Sequence, residues 1–212
     1  MDERPVAARG KGRPRLEQAG EIEAAIREAA MKVLVEQGEA ATVHAVAQAA
    51  GLSRKTLYAR HPSREHLFAA VLRNLLRHIQ PLPYARKATA AACVASYVEA
   101  MLASLVRPDA LAVQRLLAAD LKCDAELKGE LMAASRTMFV EPLEALIRTG
   151  MADGEFAKGD AAWTAVAILR LVVGEVIASG NEVAFLQEAT SRTERAAKIA
   201  TLVLNGMATR PS

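Results

Sequence analysis

The stretch TVHAVAQAAGLSRKTLYARHPSREHLF, residues 42–68, decides the fold of the chain. It contains two short runs of helix-forming residues, each preceded by a hydroxyl residue of the kind that caps helix N-termini, Thr42 and Ser53. Gly51 lies between the runs and can adopt the positive φ angle that a sharp turn needs. The pattern predicts a helix-turn-helix. Its helices cover residues 43–50 and 54–61.

Small and apolar residues of this stretch predict which side of each helix is buried. Ala47 and Ala50 are small, so the two helices can approach each other closely. Leu52 and Leu57 are expected to anchor the second helix to a core that includes Val46. The opposite side of the second helix is then exposed, and it carries cations, a hydroxyl and a phenol: Arg54, Lys55, Thr56, Tyr58 and Arg60.

A longer helix is predicted before the helix-turn-helix, from about residue 21. Ile22, Ile26, Ala29 and Val33 recur at helical spacing. Gly38 then follows in a position to end the helix in a left-handed conformation.

A connecting helix is predicted after the helix-turn-helix. Pro62 stops the second helix, and Ser63 can cap the next one. Leu67, Val71 and Leu75 form its apolar stripe. A Pro-Leu-Pro segment breaks the chain after it.

The rest of the chain, residues 81–212, is rich in Ala, Leu and Val and has five further segments with helical spacing. No stretch alternates with a period of two for long enough to be a strand, so we predict an all-α fold. Pro142 is expected to kink the third of these helices. The five segments cover about residues 94–105, 111–121, 127–150, 161–178 and 190–207.

The charges are unevenly distributed along the chain. Residues 1–80 contain 13 Lys and Arg against 9 Asp and Glu, a net charge of +4, together with all four histidines. Residues 81–212 contain 14 against 15, a net charge of −1. A basic N-terminal part attached to a neutral, apolar remainder predicts a polyanion as the partner of the former.

Other classes of protein are not supported by the sequence. It has no nucleophile elbow, no paired-acid arrangement and no Gly-rich phosphate loop, so we expect neither an enzyme nor a cofactor. No metal site is expected, because His61 and His66 are five residues apart and separated by a proline. The apolar segment 161–178 contains two charges and is interpreted as a buried helix, with no membrane partner. Two cysteines and no signal sequence favour the cytoplasm.

Residues 22–71 resemble the DNA-binding domain of the TetR family of bacterial regulators. EAAMKVLVEQG matches the first helix, TVHAVAQAAGLS the second helix and its turn, and RKTLYARHPSREHLF the recognition helix and the start of the fourth. The resemblance implies a helix-turn-helix domain followed by a helical effector-binding and dimerisation domain. The implied parts are a flexible basic arm over residues 1–20, the DNA-binding domain over 21–67, the connecting helix over 68–80, and the second domain over 81–212.

The resemblance also assigns double-stranded DNA as a partner. Thr42, Tyr58 and Arg64 would contact phosphates, and the recognition helix would meet bases and backbone. The implied DNA-binding set is Thr42, Ser53, Arg54, Lys55, Thr56, Tyr58, Arg60 and Arg64. Two residues depart from the family pattern: Arg60 replaces a frequent histidine and could add a DNA contact, and His61 replaces an aromatic residue and is expected to pack less well.

The N-terminal arm contains GRPR, residues 12–15, which resembles the core of an AT-hook. Arg13 and Arg15 could insert into a narrow minor groove, where the negative potential is enhanced. The alternative is a disordered tail that only improves solubility.

Several residues of the second domain are candidates for an effector pocket. Met side chains suit adaptable apolar sites, although each of these residues could equally belong to the core. Arg170 stands within an apolar helix and could meet an acidic ligand, an interface carboxylate, Glu175 or Asp120. The candidate pocket set is Tyr97, Met101, Met132, Met138, Trp163 and Arg170.

The last two long helices carry apolar stripes and are predicted to form a homodimer. The resemblance implies that they do so as a four-helix bundle across a two-fold axis. The proposed interface residues are Ala165, Leu169, Val172, Val176, Ile199 and Val203. The resemblance then implies a repressor that leaves a near-palindromic operator when a small, mainly apolar effector binds. The alternative is a helical ligand carrier or enzyme in which the N-terminal segment serves assembly only.

Overall fold

The computed structural model describes residues 16–77, 80–118, 124–179 and 183–205. These residues form eleven α-helices and no strand, so the predicted all-α fold is confirmed. A 3₁₀ turn covers Gly38–Ala40, and a π-helical segment covers Arg136–Val140. The helices are α1 (Leu16–Gln37), α2 (Val43–Ala49), α3 (Arg54–Arg60), α4 (Arg64–Leu76), α5 (Ala90–Leu105), α6 (Pro108–Ala118), α7 (Ala125–Ser135), α8 (Glu141–Ala152), α9 (Ala161–Ser179), α10 (Val183–Gln187) and α11 (Ala189–Asn205).

The N-terminal helix is longer than the sequence pattern indicated. It begins at Leu16, whereas we expected a flexible arm up to residue 20. Leu, Glu, Gln and Ala in residues 16–19 are all good helix formers, and they extend α1 toward the N-terminus. The arginine-rich part of the arm lies outside the described residues.

The turns and caps of the helix-turn-helix form as predicted. Gly38 and Gly51 have φ angles of +56° and +65°, in the left-handed region that favours glycine. Ser53 Oγ accepts a hydrogen bond from the Thr56 amide, and Ser63 caps α4 in the same way. Each cap satisfies an amide that has no partner inside its helix.

One of the two hydrophobic cores joins the helix-turn-helix to helices that follow it much later in the chain. It contains buried residues of α1 to α4 together with Ala112 and Leu116 of α6 and Leu127 of α7. Leu75 was expected in this core, but it is 39% exposed and Leu72 is buried in its place. Packing therefore does not separate the chain at residue 81, where the sequence suggested a domain boundary.

The second core is built by α5, the π-helical segment, α8, α9 and α11. All six residues assigned to a dimer interface contribute to this core. Ala165, Val172, Val176 and Ile199 are buried, and Leu169 and Val203 pack against them. The proposed interface is wrong in the four buried residues, because these parts of the apolar stripes of α9 and α11 are used within one protomer. For the partly buried Leu169 and Val203 it stays a prediction.

The outward side of α9 carries a different set of residues. Trp163 and Ile177 are 67% and 69% exposed, and Leu171 is 40% exposed. Arg170 and Gly174 lie on the same side at helical spacing. Helix α9 thus has apolar residues around most of its circumference, which is why its sequence alone did not show which side faces inward.

The helix that was expected to kink at Pro142 contains a π-helical segment immediately before it. A proline ring clashes with the carbonyl four residues earlier, which here is that of Met138. Pro142 also has no N–H to donate to this carbonyl, and the buried Tyr97 hydroxyl donates to it instead. The π-helical segment lies at this point of the helix. The α7–α8 helix can therefore continue through the proline.

Helix α9 is also long and apolar enough to cross a membrane by length and composition. Six of its residues are buried against the rest of the protomer. It therefore acts as a core helix of the second core.

Candidate nucleic-acid interface

Helix α3 has one buried and one exposed side. Leu57 is completely buried and anchors the helix to the first core. Its neighbour Tyr58 is 48% exposed, and Arg54 and Lys55 are exposed on the first turn. The exposed side carries two cations and a phenol on a short helix, which suits contact with a polyanion.

The hydroxyl residues at the start of α2 and α3 have both structural and surface roles. Thr42 caps α2 by accepting a hydrogen bond from the Ala45 amide at 3.1 Å. The Ser53 and Thr56 hydroxyls are 2.8 Å apart and hydrogen-bonded to each other. These bonds fix the first turn of each helix and leave the helix N-termini at the exposed surface.

Arg64 is held in place by groups of its own domain. Its Nε donates to the carbonyl of Ala41 at 2.8 Å, and its guanidinium carbon lies 5.3 Å from the centre of the Phe68 ring. Ala41 immediately precedes Thr42, so Arg64 ties the start of α4 to the start of α2.

Arg60 faces the protein interior more than the other cations of α3. Its Nη1 lies 2.8 Å from Glu23 Oε1 in α1, and its side chain is 25% exposed. The sequence assigned Arg60 an additional DNA contact. The structure instead pairs it with a carboxylate on the first helix.

His61 is packed more tightly than expected. It is only 6% exposed, and its Nε2 lies 3.3 Å from Glu23 Oε2. Its Nδ1 lies 3.3 Å from Nδ1 of His66, so the two histidines meet although they are five residues apart. This is possible because the chain becomes extended at His61, after α3 ends. His61 thus joins the end of α3 to α1 and α4 and helps to fix the orientation of α3.

Over the described ranges, no three His, Cys, Asp or Glu residues are grouped in a way that could hold a metal ion.

A contact between α2 and α3 was not expected from the sequence. Arg54 Nε donates to Nδ1 of His44 at 2.8 Å, and both side chains are exposed. A possible signal was the position of His44 two residues after the Thr42 cap, because the start of α2 lies beside the start of α3. Arg13 and Arg15 of the arm lie outside the described residues, and their expected minor-groove contact stays a prediction.

The residues expected to line an effector pocket do not surround one cavity. Tyr97 and Met101 are completely buried, and Met138 packs against the same core. Met132 and Trp163, in contrast, are 74% and 67% exposed. The single pocket expected from these residues is therefore not formed.

Arg170 also differs from its expected role. It lies on the exposed side of α9, with no hydrogen bond or ion pair to any described residue. Glu175, one of its expected partners, pairs with Arg195 of α11 at 3.0 Å, and Asp120 lies outside the described residues.

Two family models match the chain. Residues 26–71 match the model described as bacterial regulatory proteins of the tetR family. Residues 94–207, more than half of the chain, match the C-terminal domain of AefR-like transcriptional repressors. Comparison of the sequence with curated proteins gave no match.

Solved structures of regulators share the fold. A TetR transcriptional regulator from Agrobacterium tumefaciens aligns with a TM-score of 0.72 at 22% identity, covering 90% of this chain and 96% of the other. The flavonoid-responsive regulator FrrA aligns with a TM-score of 0.60 at 23% identity, covering 91% and 100%. The regulator PfmR from Thermus thermophilus aligns with a TM-score of 0.61 at 22% identity, covering 87% and 96%.

The two family matches follow the same order as the structural parts. The first covers the helix-turn-helix, and the second covers most of the helices that follow it. Proteins of this family are regulators rather than enzymes, and the alternative of a carrier or enzyme is not favoured. The chain therefore belongs to the tetR family of bacterial regulatory proteins and is a DNA-binding transcription regulator.

Proposed function

We propose that α3 enters the major groove of an operator and reads bases with its first turn. The observation that carries this proposal is the exposure of Arg54, Lys55 and Tyr58 on a helix whose Leu57 is completely buried. Because the buried Leu57 fixes the orientation of α3, Arg54 and Lys55 face outward without any rearrangement of the helix. Arginine and lysine can donate to guanine O6 and N7 in that groove.

The same surface offers several phosphate contacts. Thr42 lies at the N-terminus of α2, where the helix dipole and free amides favour an anion. Ser53 and Thr56 add hydroxyls at the N-terminus of α3. Arg64 is held at the start of α4 by its bond to the Ala41 carbonyl, beside the start of α2, and we assign it to a contact with the DNA backbone.

Fluorescence anisotropy with DNA from upstream of the gene tests this surface. We expect Tyr58→Ala and Lys55→Ala each to weaken binding at least about tenfold, since both lose a contact to DNA. Lys158→Ala is the matched control, because Lys158 is exposed in the loop after α8. Unchanged affinity in both α3 variants, with normal helicity, would overturn the proposed surface.

The N-terminal arm is proposed to bind the adjacent minor groove through Arg13 and Arg15. Support comes from the GRPR segment and from its position just before α1. Deleting residues 1–15 should weaken binding and reduce its salt dependence, because cation–phosphate contacts are lost. A deletion variant with the same affinity and salt slope would remove the arm from the mechanism.

A homodimer is proposed to form through the outward sides of α9 and α11. Trp163, Leu171 and Ile177 expose apolar surface on α9, and Gly174 among them permits close approach of a second helix. Leu202 is 68% exposed on α11, which is joined to α9 by the Glu175–Arg195 ion pair. Packing this face on a second copy would form a four-helix bundle.

Such a dimer would place two copies of α3 about 35 Å apart, one helical turn of DNA. The proposed operator is therefore a near-palindrome. The double variant Ile177→Glu/Leu202→Glu should be monomeric by sedimentation, with Val35→Glu, at a 39% exposed position on α1, as its control. A double variant that stays dimeric would place the interface elsewhere.

We propose repression as the output and the cytoplasm as the site of action. A dimer bound at an operator excludes RNA polymerase from an overlapping promoter. The match to the C-terminal domain of AefR-like repressors supports this sign of regulation. In a reporter strain, deletion of the gene should raise transcription from its target promoter, and lowered transcription would indicate activation.

A small apolar effector is proposed to bind in an open groove between α7, the π-helical segment and α9. The groove has a volume of about 490 Å³ and a mostly apolar lining. Arg136, whose Nε lies 3.2 Å from Glu141 Oε1, also lines it. The lining residues are Leu131, Met132, Ala133, Ser135, Arg136, Val140 and Val166.

Helix α7 connects this groove to the DNA-binding part. Its first residues form an acidic cluster around Arg73 of α4, with Nη2 lying 3.0 Å from Asp124 Oδ2 and 3.4 Å from Glu126 Oε2. Glu130 approaches the same guanidinium at 3.5 Å. A movement of α7 would thus be passed to α4, and only an effector that prefers the moved state could release DNA.

Titration of the protein–DNA complex with a chemically broad panel tests effector control. Flavonoids are the first class to try, because FrrA is named as flavonoid-responsive. A compound that binds should release DNA from the wild type and have less effect on Arg73→Ala, in which α7 and α4 are uncoupled. A broad panel that leaves DNA affinity unchanged would contradict control by a small molecule.

A further inference from the structure

A hydrogen bond joins His44 of α2 to Arg54, the first residue of α3. Arg54 Nε donates to His44 Nδ1 at 2.8 Å. No hydrogen bond of Nη1 or Nη2 to another described residue accompanies this contact. One edge of the guanidinium is therefore held by the protein, while its outer fork stays available.

The hydrogen bond also occupies the ring nitrogen of the histidine that faces α3. His44 Nδ1 is the acceptor in this contact. We therefore expect the effect of His44 on DNA binding to pass through the arginine that it holds.

Holding the arginine matters because its side chain is long and loses rotamer freedom when it binds a base. A guanidinium can pair with guanine through its outer fork, Nη1 and Nη2, or sideways through Nε and one Nη. The His44 contact occupies Nε and leaves the outer fork as the route to guanine O6 and N7. The position of Arg54 on the first exposed turn of α3 gives this fork access to a major groove.

We propose that His44 is a positioning residue that preorganises Arg54 to recognise one guanine in each operator half-site. The inference rests on the proposed recognition surface and adds a second helix, α2, to base readout. It also explains why an exposed imidazole at the start of α2 contacts α3.

A double-mutant cycle tests this role, with affinity measured for the operator and for an operator in which that guanine is replaced. His44→Ala should weaken operator binding about tenfold, the scale of losing a hydrogen bond to a charged group. The preference for guanine should fall with it, while the salt slope stays unchanged. His44→Asn retains an acceptor near the position of Nδ1 and should restore much of the preference.

The decisive comparison is made in a protein that lacks Arg54. In the Arg54→Ala background, His44→Ala should have no further effect, because the group it positions is absent. An equal loss in both backgrounds would show that His44 contacts DNA by itself and would overturn the proposal. Full affinity of His44→Ala alongside weak binding of Arg54→Ala would overturn it too.

The two proposals fail in distinguishable ways. If α3 is not the recognition helix, Lys55→Ala, Tyr58→Ala and Arg54→Ala all retain affinity. If only the role of His44 is wrong, those three variants lose affinity and the cycle shows no coupling. Circular dichroism on each variant checks that helix content is maintained.

Discussion

The helix-turn-helix and the helices α9 and α11 differ in how well their sequence showed which side is buried. In α3 the buried Leu57 is flanked by polar or small residues. Only one orientation of the helix therefore buries its leucine and exposes its polar residues. In α9 the buried Val172 lies next to the exposed Leu171, and both are apolar. Periodicity assigns faces reliably only where the two sides of a helix differ in polarity.

The largest expected effect contrasts two neighbours on α9. Val172→Glu would bury a carboxylate in the apolar second core, where Val172 is completely buried, and should lower the free energy of unfolding by more than about 4 kcal/mol. Leu171→Glu should leave the fold intact. Urea unfolding followed by circular dichroism measures the stability of both variants. If Val172→Glu is as stable as the wild type, the Val172 side of α9 is not part of the core and would again be a candidate for the dimer interface.

A similar pair in α3 separates stability from DNA binding. Leu57→Ala should cost about 3 kcal/mol of unfolding free energy, because it leaves a cavity under the helix. Tyr58→Ala should change stability by less than about 0.5 kcal/mol and yet weaken DNA binding. Thermal unfolding and anisotropy on both proteins provide the comparison. A large stability loss in Tyr58→Ala would mean that Tyr58 is a packing residue.

The π-helical segment provides a test in the second core. Tyr97→Phe removes the donor to the Met138 carbonyl and should cost about 1–2 kcal/mol. Burial raises the pKa of Tyr97, so the phenol stays protonated and keeps donating at neutral pH. Tyr84→Phe, on the ring that meets Tyr97 edge-on, is the control. Equal urea midpoints for the two variants would show that this bond adds no stability.

The smallest effect concerns Arg60 and the salt dependence of DNA binding. Arg60→Gln breaks the ion pair with Glu23 and should cost less than about 1 kcal/mol of stability. The slope of log affinity against log salt should stay the same, whereas Lys55→Ala should lower its magnitude by about 0.9 per half-site. A reduced slope in Arg60→Gln would restore its assignment as a phosphate contact.

Most of the local structure of the DNA-binding part could be predicted from the sequence. Thr42, Ser53 and Ser63 cap the helices that they were expected to cap, and Gly51 has the positive φ angle that its turn requires. These features depend on residues within a few positions of one another. The contact of His61 with His66 escaped prediction, because it arises from the extended chain after α3 and from Glu23 in another helix.

In the second domain, the positions of the helices could be predicted from the sequence, but their packing could not. Its helices were predicted from spacing, apart from α10, but the burial of Ala165 and Ile199 and the exposure of Trp163 and Arg170 were not. The union of α6 and α7 with the core of α1 to α4 was not predicted either. These facts depend on which helices meet, and an apolar stripe fits a neighbouring helix or a second subunit equally well.

The sequence by itself determined the helix-turn-helix and its outward cations, since caps, a turn glycine and a buried leucine act over short distances along the chain. Tertiary structure decided the inward side of α9 and α11, the partner of Arg60 and the His44–Arg54 contact. Each of these joins residues of different helices, so only the packed arrangement brings the two groups within reach.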